Sequence, residues 1–184
     1  SIARGFSKAD TDVLLNFREN YLTRLQVLSN GSPMVTDKMP LNFRYIGLLH
    51  SAFPDAKILH VKRNSAAVCW GNYKQYFVSK ALGYCYELGD VVKYYALYQD
   101  LMEFWEAKLA NKMYRLDYEL LVTNQEDETK NLIRHLGLDW EKDCLSPESN
   151  RRSIATASST QVREQVHQGS SQTWKQFKPF LTGV

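Results

Sequence analysis

Hydrophobic residues recur every three or four positions in several stretches of the chain, a spacing that places them on one face of an α-helix. In "ADTDVLLNFRENYLTRLQVL" the apolar stripe is followed by the helix stop "NGSP". A second stripe, in "LNFRYIGLLHSAFPDA", ends at Pro54, and a third runs from Asp90 to about Ala110. The first stripe consists of Val13, Leu14, Phe17, Tyr21, Leu22 and Leu25. The pattern therefore predicts three amphipathic helices.

End signals predict further helices. The stretch Ser65–Phe77 is predicted to be a helix, and either Asn64 or Ser65 can accept its first-turn N–H groups through the side chain. The stretch "NQEDETKNLIRHLGL" starts with the capping residue Asn124, has acidic residues in its first turn and basic residues in its last turn, and ends at Gly137. A short terminal helix is predicted in "SSQTWKQFKPFL".

Short apolar runs between these helices predict strands. "KILHV" has the length and branched residues of a strand buried on both faces, and Met113–Leu116 forms another strand that leads into Tyr118. "MVTDKMP" is a short extended segment that closes on Pro40. Strands and helices that alternate in this way predict an α/β fold, in which right-handed crossovers build a parallel sheet covered by helices on both faces. At 184 residues, a single domain spanning 1–184 is expected.

Charged and polar residues follow the predicted strand ends, the edge at which parallel sheets bind ligands. Lys38, Arg63 and Tyr118 each stand just past one extended segment, so they are expected to converge. Arg63 also precedes a helix N-terminus, where unpaired N–H groups and the helix dipole favour an anion. In the alternative interpretation, Arg63 pairs with Asp37 or Glu119 and Lys38 is a solvated turn residue.

Composition argues against several other classes of function. A net charge of +3 and a pI near 8.7 permit a small anionic ligand but fall short of a nucleic-acid-binding surface. No apolar run reaches the roughly 20 residues of a membrane span. The three cysteines form neither a disulfide framework nor a CxxC pair, which favours a reducing, cytoplasmic compartment. The four histidines form no metal-binding motif, so no metal is expected.

Three blocks of the sequence, in this order, resemble the sulfotransferase family: "VTDKMPLNFRYIGLLHSAFPDAKILHVKRNSAAVCWGNYKQYF", "YRLDYELLV" and "RSIATASSTQVREQVHQGSSQTWKQF". The nearest branch holds tyrosylprotein sulfotransferases and bacterial sulfotransferase domains, often linked to tetratricopeptide repeats. The resemblance implies a P-loop-type parallel sheet in a three-layer fold. It also implies transfer of a sulfuryl group from 3′-phosphoadenosine-5′-phosphosulfate to a hydroxyl or amine, without a metal. A tetratricopeptide-repeat region is expected upstream in the same protein.

The resemblance assigns roles residue by residue. Lys38 of "TDKMP" matches the lysine that stabilises the transferring group, Arg63 matches the arginine on the donor's 3′-phosphate, and Tyr118 matches a donor-site tyrosine. Ser158 matches a serine near the reacting sulfate, with a catalytic role and a donor contact. The loop that closes over the nucleotide is matched by residues that include Gln161, Val162, Arg163 and His167. From composition alone, this polar segment is either a disordered linker or a loop folded over a polyanion.

Two positions depart from the family pattern. Gly71 stands where the family usually has a serine that shares the 3′-phosphate. Thr173 stands where it usually has Lys or Arg, with Lys175 two positions further on. Because a hydrogen bond to a charged group is worth roughly 1.5–3 kcal/mol, both changes are expected to weaken donor binding or alter nucleotide preference.

The family's phosphosulfate-binding loop and its general base lie upstream of the lysine that Lys38 matches. Only 37 residues precede Lys38, and "RGFSKAD" lacks the GK[ST] ending of a phosphate loop. The resemblance therefore implies that this chain is the C-terminal part of a sulfotransferase domain, without the first strand and loop, and inactive by itself. The alternative is a non-catalytic nucleotide-binding or interaction module of the same fold. The acceptor, whether a peptide, a carbohydrate or a small alcohol, is left open.

Overall fold

The computed structural model describes residues 11–110, 112–150 and 169–181. The chain divides into two compact units, one formed by Ser1–Ala56 with Tyr98–Ala110 and the other by Lys57–Leu97 with Asn111–Val184. The α-helices are α1 (Thr11–Ser29), α2 (Ile46–Ala52), α3 (Ser65–Tyr73), α4 (Leu88–Lys108), α5 (Tyr118–Thr123) and α6 (Gln125–Leu136). The strands are β1 (Ile58–Lys62) and β2 (Met113–Asp117). Short 3-10 helices cover Pro40–Tyr45, Lys80–Tyr86, Lys142–Leu145, Pro147–Ser149 and Thr173–Phe180.

In the first unit, α1 packs against α2 through aromatic rings. Phe53 lies 6.1 Å from the ring of Phe17 and 5.1 Å from that of Tyr21, and Arg18 Nη1 donates a 2.6 Å hydrogen bond to Ala52 O. Val13 and Leu22 are 63% and 42% exposed, so the predicted apolar stripe is wrong at these two positions. Among the described residues, the buried face of α1 is narrower than the sequence pattern indicates, because the element that packs against it, α2, is short.

The C-terminal half of α4 completes the core of this unit. Trp105 donates a 3.0 Å hydrogen bond from Nε1 to Phe43 O, and Tyr98 packs edge-on to the Phe43 ring at 5.1 Å. Ile46 and Met102 are buried in the same unit. The face of α4 that packs into the core is therefore the one predicted from the spacing of apolar residues in 90–110.

In the second unit, β1 and β2 form a two-stranded parallel sheet with Ile58 opposite Met113 and Lys62 opposite Asp117. Parallel strands joined through helices are an α/β arrangement, as predicted. The predicted burial of β1 on both faces is wrong, since Leu59 and Val61 are 40% and 55% exposed. Burial alternates along β1 because the described residues cover only one of its faces.

The segment "MVTDKMP" is extended, as predicted, but it does not join the sheet. Met39 has extended backbone angles (φ −122°, ψ 124°), while residues 34–39 belong to no described strand. An extended segment becomes a strand only when a neighbour completes its hydrogen bonds, and the first unit contains no strand among its described residues. The predicted series of three strands is therefore observed as two.

The end signals at Asn64 and Gly137 are confirmed, whereas Asn124 precedes α6 without a capping hydrogen bond from its side chain. The Asn64 side chain accepts a 3.0 Å hydrogen bond from Ala67 N and caps α3. Gly137 adopts a left-handed conformation (φ 73°) after α6, with Gly137 N bonded to Arg134 O and Leu138 N to Ile133 O. Only glycine adopts this conformation at no steric cost, which explains the abrupt end of α6. Helix α3 ends at Tyr73, four residues earlier than predicted.

No helix among residues 11–110, 112–150 and 169–181 is both long and apolar enough to cross a membrane. All three cysteines are free thiols; Cys69 and Cys85 are buried, and burial raises the pKa of both.

Candidate functional site

The carboxyl ends of β1 and β2 lie side by side, because the strands are parallel and in register. Each strand continues directly into a helix: β1 leads through Arg63 and Asn64 into α3, and β2 leads directly into α5, which begins at Tyr118. The residues just past the two strands therefore meet at one edge of the sheet. This edge, with Arg63, Tyr118 and Glu119, is the candidate anion site.

Arg63 and Tyr118 are brought together as predicted. The guanidinium carbon of Arg63 lies 4.8 Å from the centroid of the Tyr118 ring, a cation–π distance. Both side chains are partly buried. The guanidinium lies over the face of the Tyr118 ring, which restricts its position.

A pair of serines from the C-terminal segment links the two strand ends. Arg63 Nε donates a 3.0 Å hydrogen bond to Ser171 Oγ, and Ser171 Oγ donates a 2.5 Å hydrogen bond to Glu119 Oε1. Ser170 Oγ lies 2.8 Å from the hydroxyl oxygen of Tyr118. Ser171 is the polar residue with the smallest exposure in the described chain, at 5%. The segment after residue 168 thus forms one wall of the site.

Glu119, in α5, also accepts a hydrogen bond from the turn that precedes α3. Asn64 N donates a 3.1 Å hydrogen bond to Glu119 Oε1, the same oxygen that Ser171 contacts. Ala67 N is capped by Asn64. The backbone N–H groups of Ser65 and Ala66, which no intrahelical bond can satisfy, have no partner among the described residues, so they can bind a ligand or solvent. Within the described ranges, Arg63 and Glu119 form no direct ion pair; Ser171 lies between them. The alternative interpretation of Arg63 as a partner of Glu119 is therefore correct only through this serine.

The charge of Glu119 reaches a second tyrosine of the unit. Burial raises the pKa of Tyr95, and the charges of Cys69 and Glu119 raise it further. Tyr95 is consequently a neutral phenol at physiological pH and adds no charge near the site.

The 3-10 helix Thr173–Phe180 docks on α3 through a stacked aromatic pair. The rings of Trp70 and Phe177 lie 4.5 Å apart at an angle of 29°. This contact anchors the segment that supplies Ser170 and Ser171. Thr173 is exposed and donates a 3.2 Å hydrogen bond to Ser170 O, and Lys175 is exposed as well.

The remaining predicted site residues lie elsewhere in the chain. Gly71 lies in α3, two turns beyond Arg63, and no heavy atom lies within 4 Å of the position that a Cβ atom would take there. Lys38 is exposed in the first unit, and its convergence with Arg63 and Tyr118 stays a prediction. Ser158, Gln161, Val162, Arg163 and His167 lie outside the described residues.

Sequence reasoning did not single out Ser170 and Ser171. The available signal was their position, two consecutive serines between Gly169 and an aromatic helix that needs a docking surface. Glu119 was considered only as a direct partner for Arg63. Among the described residues, no group of three or more potential metal ligands is found.

Comparison with known proteins gives one relative and one family match. The chain is similar to an uncharacterized protein of Aquifex aeolicus (strain VF5), with 32% identity over 177 residues, which cover 95% of this chain and 23% of that protein. The chain thus spans about a quarter of the length of this relative. The model of the Sulfotransferase family matches residues 6–142, a range that contains Lys38, Arg63, Gly71 and Tyr118. Since this match covers most of the chain, the protein belongs to the sulfotransferase family.

Proposed function

We propose that this chain supplies the 3′-phosphate-binding half of a sulfotransferase that uses 3′-phosphoadenosine-5′-phosphosulfate. The observation that carries the proposal is the position of Arg63, between a strand end and a helix N-terminus, with its guanidinium held by Tyr118 and Ser171. Its two terminal nitrogens donate to no described residue. A positioned cation whose terminal donors, like the first N–H groups of α3, have no partner among the described residues fits a phosphate monoester.

The proposed reaction is an in-line displacement at sulfur. The acceptor oxygen or nitrogen bonds to sulfur as the bond from sulfur to the bridging phosphate oxygen breaks, the acceptor proton passes to a base, and adenosine 3′,5′-bisphosphate leaves. In such transfers, positioning and fixed charges supply most of the rate enhancement. Arg63 would anchor the nucleotide, and Lys38, by its match to the family lysine, would balance charge on the transferring group.

The remaining assignments follow the family pattern in the same way. Tyr118 would flank the nucleotide, and the segment that holds Ser158, Gln161, Val162, Arg163 and His167 would close over it. A three-layer P-loop-type sheet would need strands beyond the two that are described. The exposed apolar residues of β1, Leu59 and Val61, lie on one face of the sheet and support a further layer of the fold over that face.

Isothermal titration with adenosine 3′,5′-bisphosphate tests the proposal. We expect binding in the micromolar range and at least about 10-fold weaker binding of adenosine 5′-monophosphate, because the second ligand lacks the group that Arg63 contacts. Equal affinities for the two nucleotides would show that the 3′-phosphate is not recognised. A protein that binds the bisphosphate but transfers no sulfuryl group to any acceptor, even when the upstream part of the domain is present, would instead support the non-catalytic module, which the departures at Gly71 and Thr173 favour.

Replacing Gly71 with serine is expected to strengthen bisphosphate binding about 10-fold, the low end of the value of one hydrogen bond to a charged group. The position is open, since nothing lies within 4 Å of an added Cβ atom. Gly71 lies about 9 Å along the helix axis from Ser65, so the phosphate would have to lie alongside the first two turns of α3. Titration of both proteins measures the change.

The matched control is Gly71→Ala. Either substitution stabilises α3 relative to glycine, alanine by up to about 1 kcal/mol, but only serine adds a donor. If both variants bind the nucleotide equally well, position 71 does not contact the phosphate.

A further inference from the structure

The Arg63 guanidinium is restrained on two sides. Its central carbon lies over the Tyr118 ring, 4.8 Å from the centroid, and Ser171 Oγ accepts the Nε hydrogen at 3.0 Å. A guanidinium can bind an anion through its Nε side or through its two terminal nitrogens. Since the Nε side is occupied, the edge that remains for a ligand is the one formed by Nη1 and Nη2.

Ser171 is itself fixed. Its hydroxyl hydrogen is committed to Glu119 Oε1 at 2.5 Å, so its oxygen is oriented as an acceptor toward Arg63. Glu119 Oε1 also accepts the backbone N–H of Asn64, which ties the carboxylate to the turn that carries Arg63. Ser171 is only 5% exposed, so these contacts are largely shielded from water. Charge-assisted hydrogen bonds are strongest in such an environment.

We propose that Ser171 is a positioning residue that, oriented by Glu119, holds the guanidinium of Arg63 so that its terminal edge faces a phosphate monoester. The inference rests on the proposed function, because the phosphate in question is the 3′-phosphate of the nucleotide. Ser171 does not touch the ligand; it acts through Arg63. The terminal edge can donate two parallel hydrogen bonds to a phosphate monoester, whereas the anion never competes for the Nε hydrogen.

The experiment compares two ligands across variants of the full chain. Ser171→Ala should weaken adenosine 3′,5′-bisphosphate binding about 10-fold, as expected for one hydrogen bond to a charged group. The same variant should change the affinity for adenosine 5′-monophosphate less than about 2-fold, because that ligand does not use Arg63. Ser171→Thr, which keeps the hydroxyl, should restore most of the lost affinity. Ser149→Ala, at an exposed serine of the same unit, serves as the control.

A double-mutant cycle separates positioning from a general structural effect. In the Arg63→Ala background, Ser171→Ala should change bisphosphate affinity less than about 2-fold, because the residue through which Ser171 acts is gone. The positioning role would be overturned if Ser171→Ala weakened the binding of both ligands equally, or if it weakened bisphosphate binding as much without Arg63 as with it. Either result would leave the proposed function standing. If the unaltered protein fails to prefer the bisphosphate, the proposed function fails and the positioning role fails with it. Should Ser171→Ala not fold, Ser171→Cys provides the same comparison, since a thiol is a weak acceptor.

Discussion

Replacing Arg63 with alanine is expected to weaken adenosine 3′,5′-bisphosphate binding by at least about 100-fold. Two hydrogen bonds from a guanidinium to a phosphate are each worth roughly 1.5–3 kcal/mol, and the substitution removes both. The loss also leaves Ser171 without the donor that it accepts from. Calorimetric titration at fixed, low ionic strength measures the change.

Two further variants make the result specific. Arg63→Lys keeps the positive charge but cannot form two parallel bonds, so its affinity should fall between those of the alanine variant and the unaltered protein. Arg134→Ala removes an exposed arginine from α6 whose Nη1 donates to Asn131 Oδ1, and it should leave binding unchanged. If Arg63→Ala and Arg134→Ala bind the bisphosphate equally well, Arg63 does not recognise the phosphate.

Replacing Gly47 with alanine should lower the free energy of unfolding by about 1–2 kcal/mol. An added Cβ atom would lie 2.5 Å from Cη2 and 2.9 Å from Cζ3 of Trp105, closer than carbon atoms can approach. Trp105 cannot tilt away freely, because its Nε1 donates to Phe43 O. Overpacking of this kind costs typically 1–3 kcal/mol, and the better helix propensity of alanine offsets up to about 1 kcal/mol. Urea unfolding followed by tryptophan fluorescence measures the change.

Gly83→Ala is the matched control for this substitution. It adds the same methyl group in the 3-10 helix Lys80–Tyr86, where nothing lies within 4 Å of the new atom. We expect it to be neutral or slightly stabilising. Equal stabilities of the two variants would mean that the ring of Trp105 does not pack on Gly47.

Local elements were predictable from the sequence because their signals are local. The apolar stripe in α4, the Asn64 cap of α3 and the Gly137 stop of α6 each depend on residues within a few positions of each other. The strands were identified by length and composition, and parallel pairing followed from the intervening helices. Arg63 and Tyr118 could be placed together for the same reason, since both end strands of one parallel sheet.

The features that the sequence did not predict correctly depend on contacts with residues far away in the sequence. Whether Leu59 and Val61 are covered depends on what lies on that face of the sheet, and no periodicity in "KILHV" reports it. The role of Ser171 depends on a contact across 108 residues with Arg63, and a serine carries little signal of its own. The family resemblance supplied roles for individual positions but not the hydrogen bonds that orient them.

The long sequence separation inside the site affects how it forms during synthesis. Arg63 is joined to a serine 108 residues downstream, and Asn64 to a carboxylate 55 residues downstream. At a synthesis rate of about 5–20 residues per second, roughly 5–20 seconds separate the translation of Arg63 from that of Ser171. Throughout that interval the nascent guanidinium has no serine to hold it, so the full nucleotide affinity is acquired only after Ser171 has been translated.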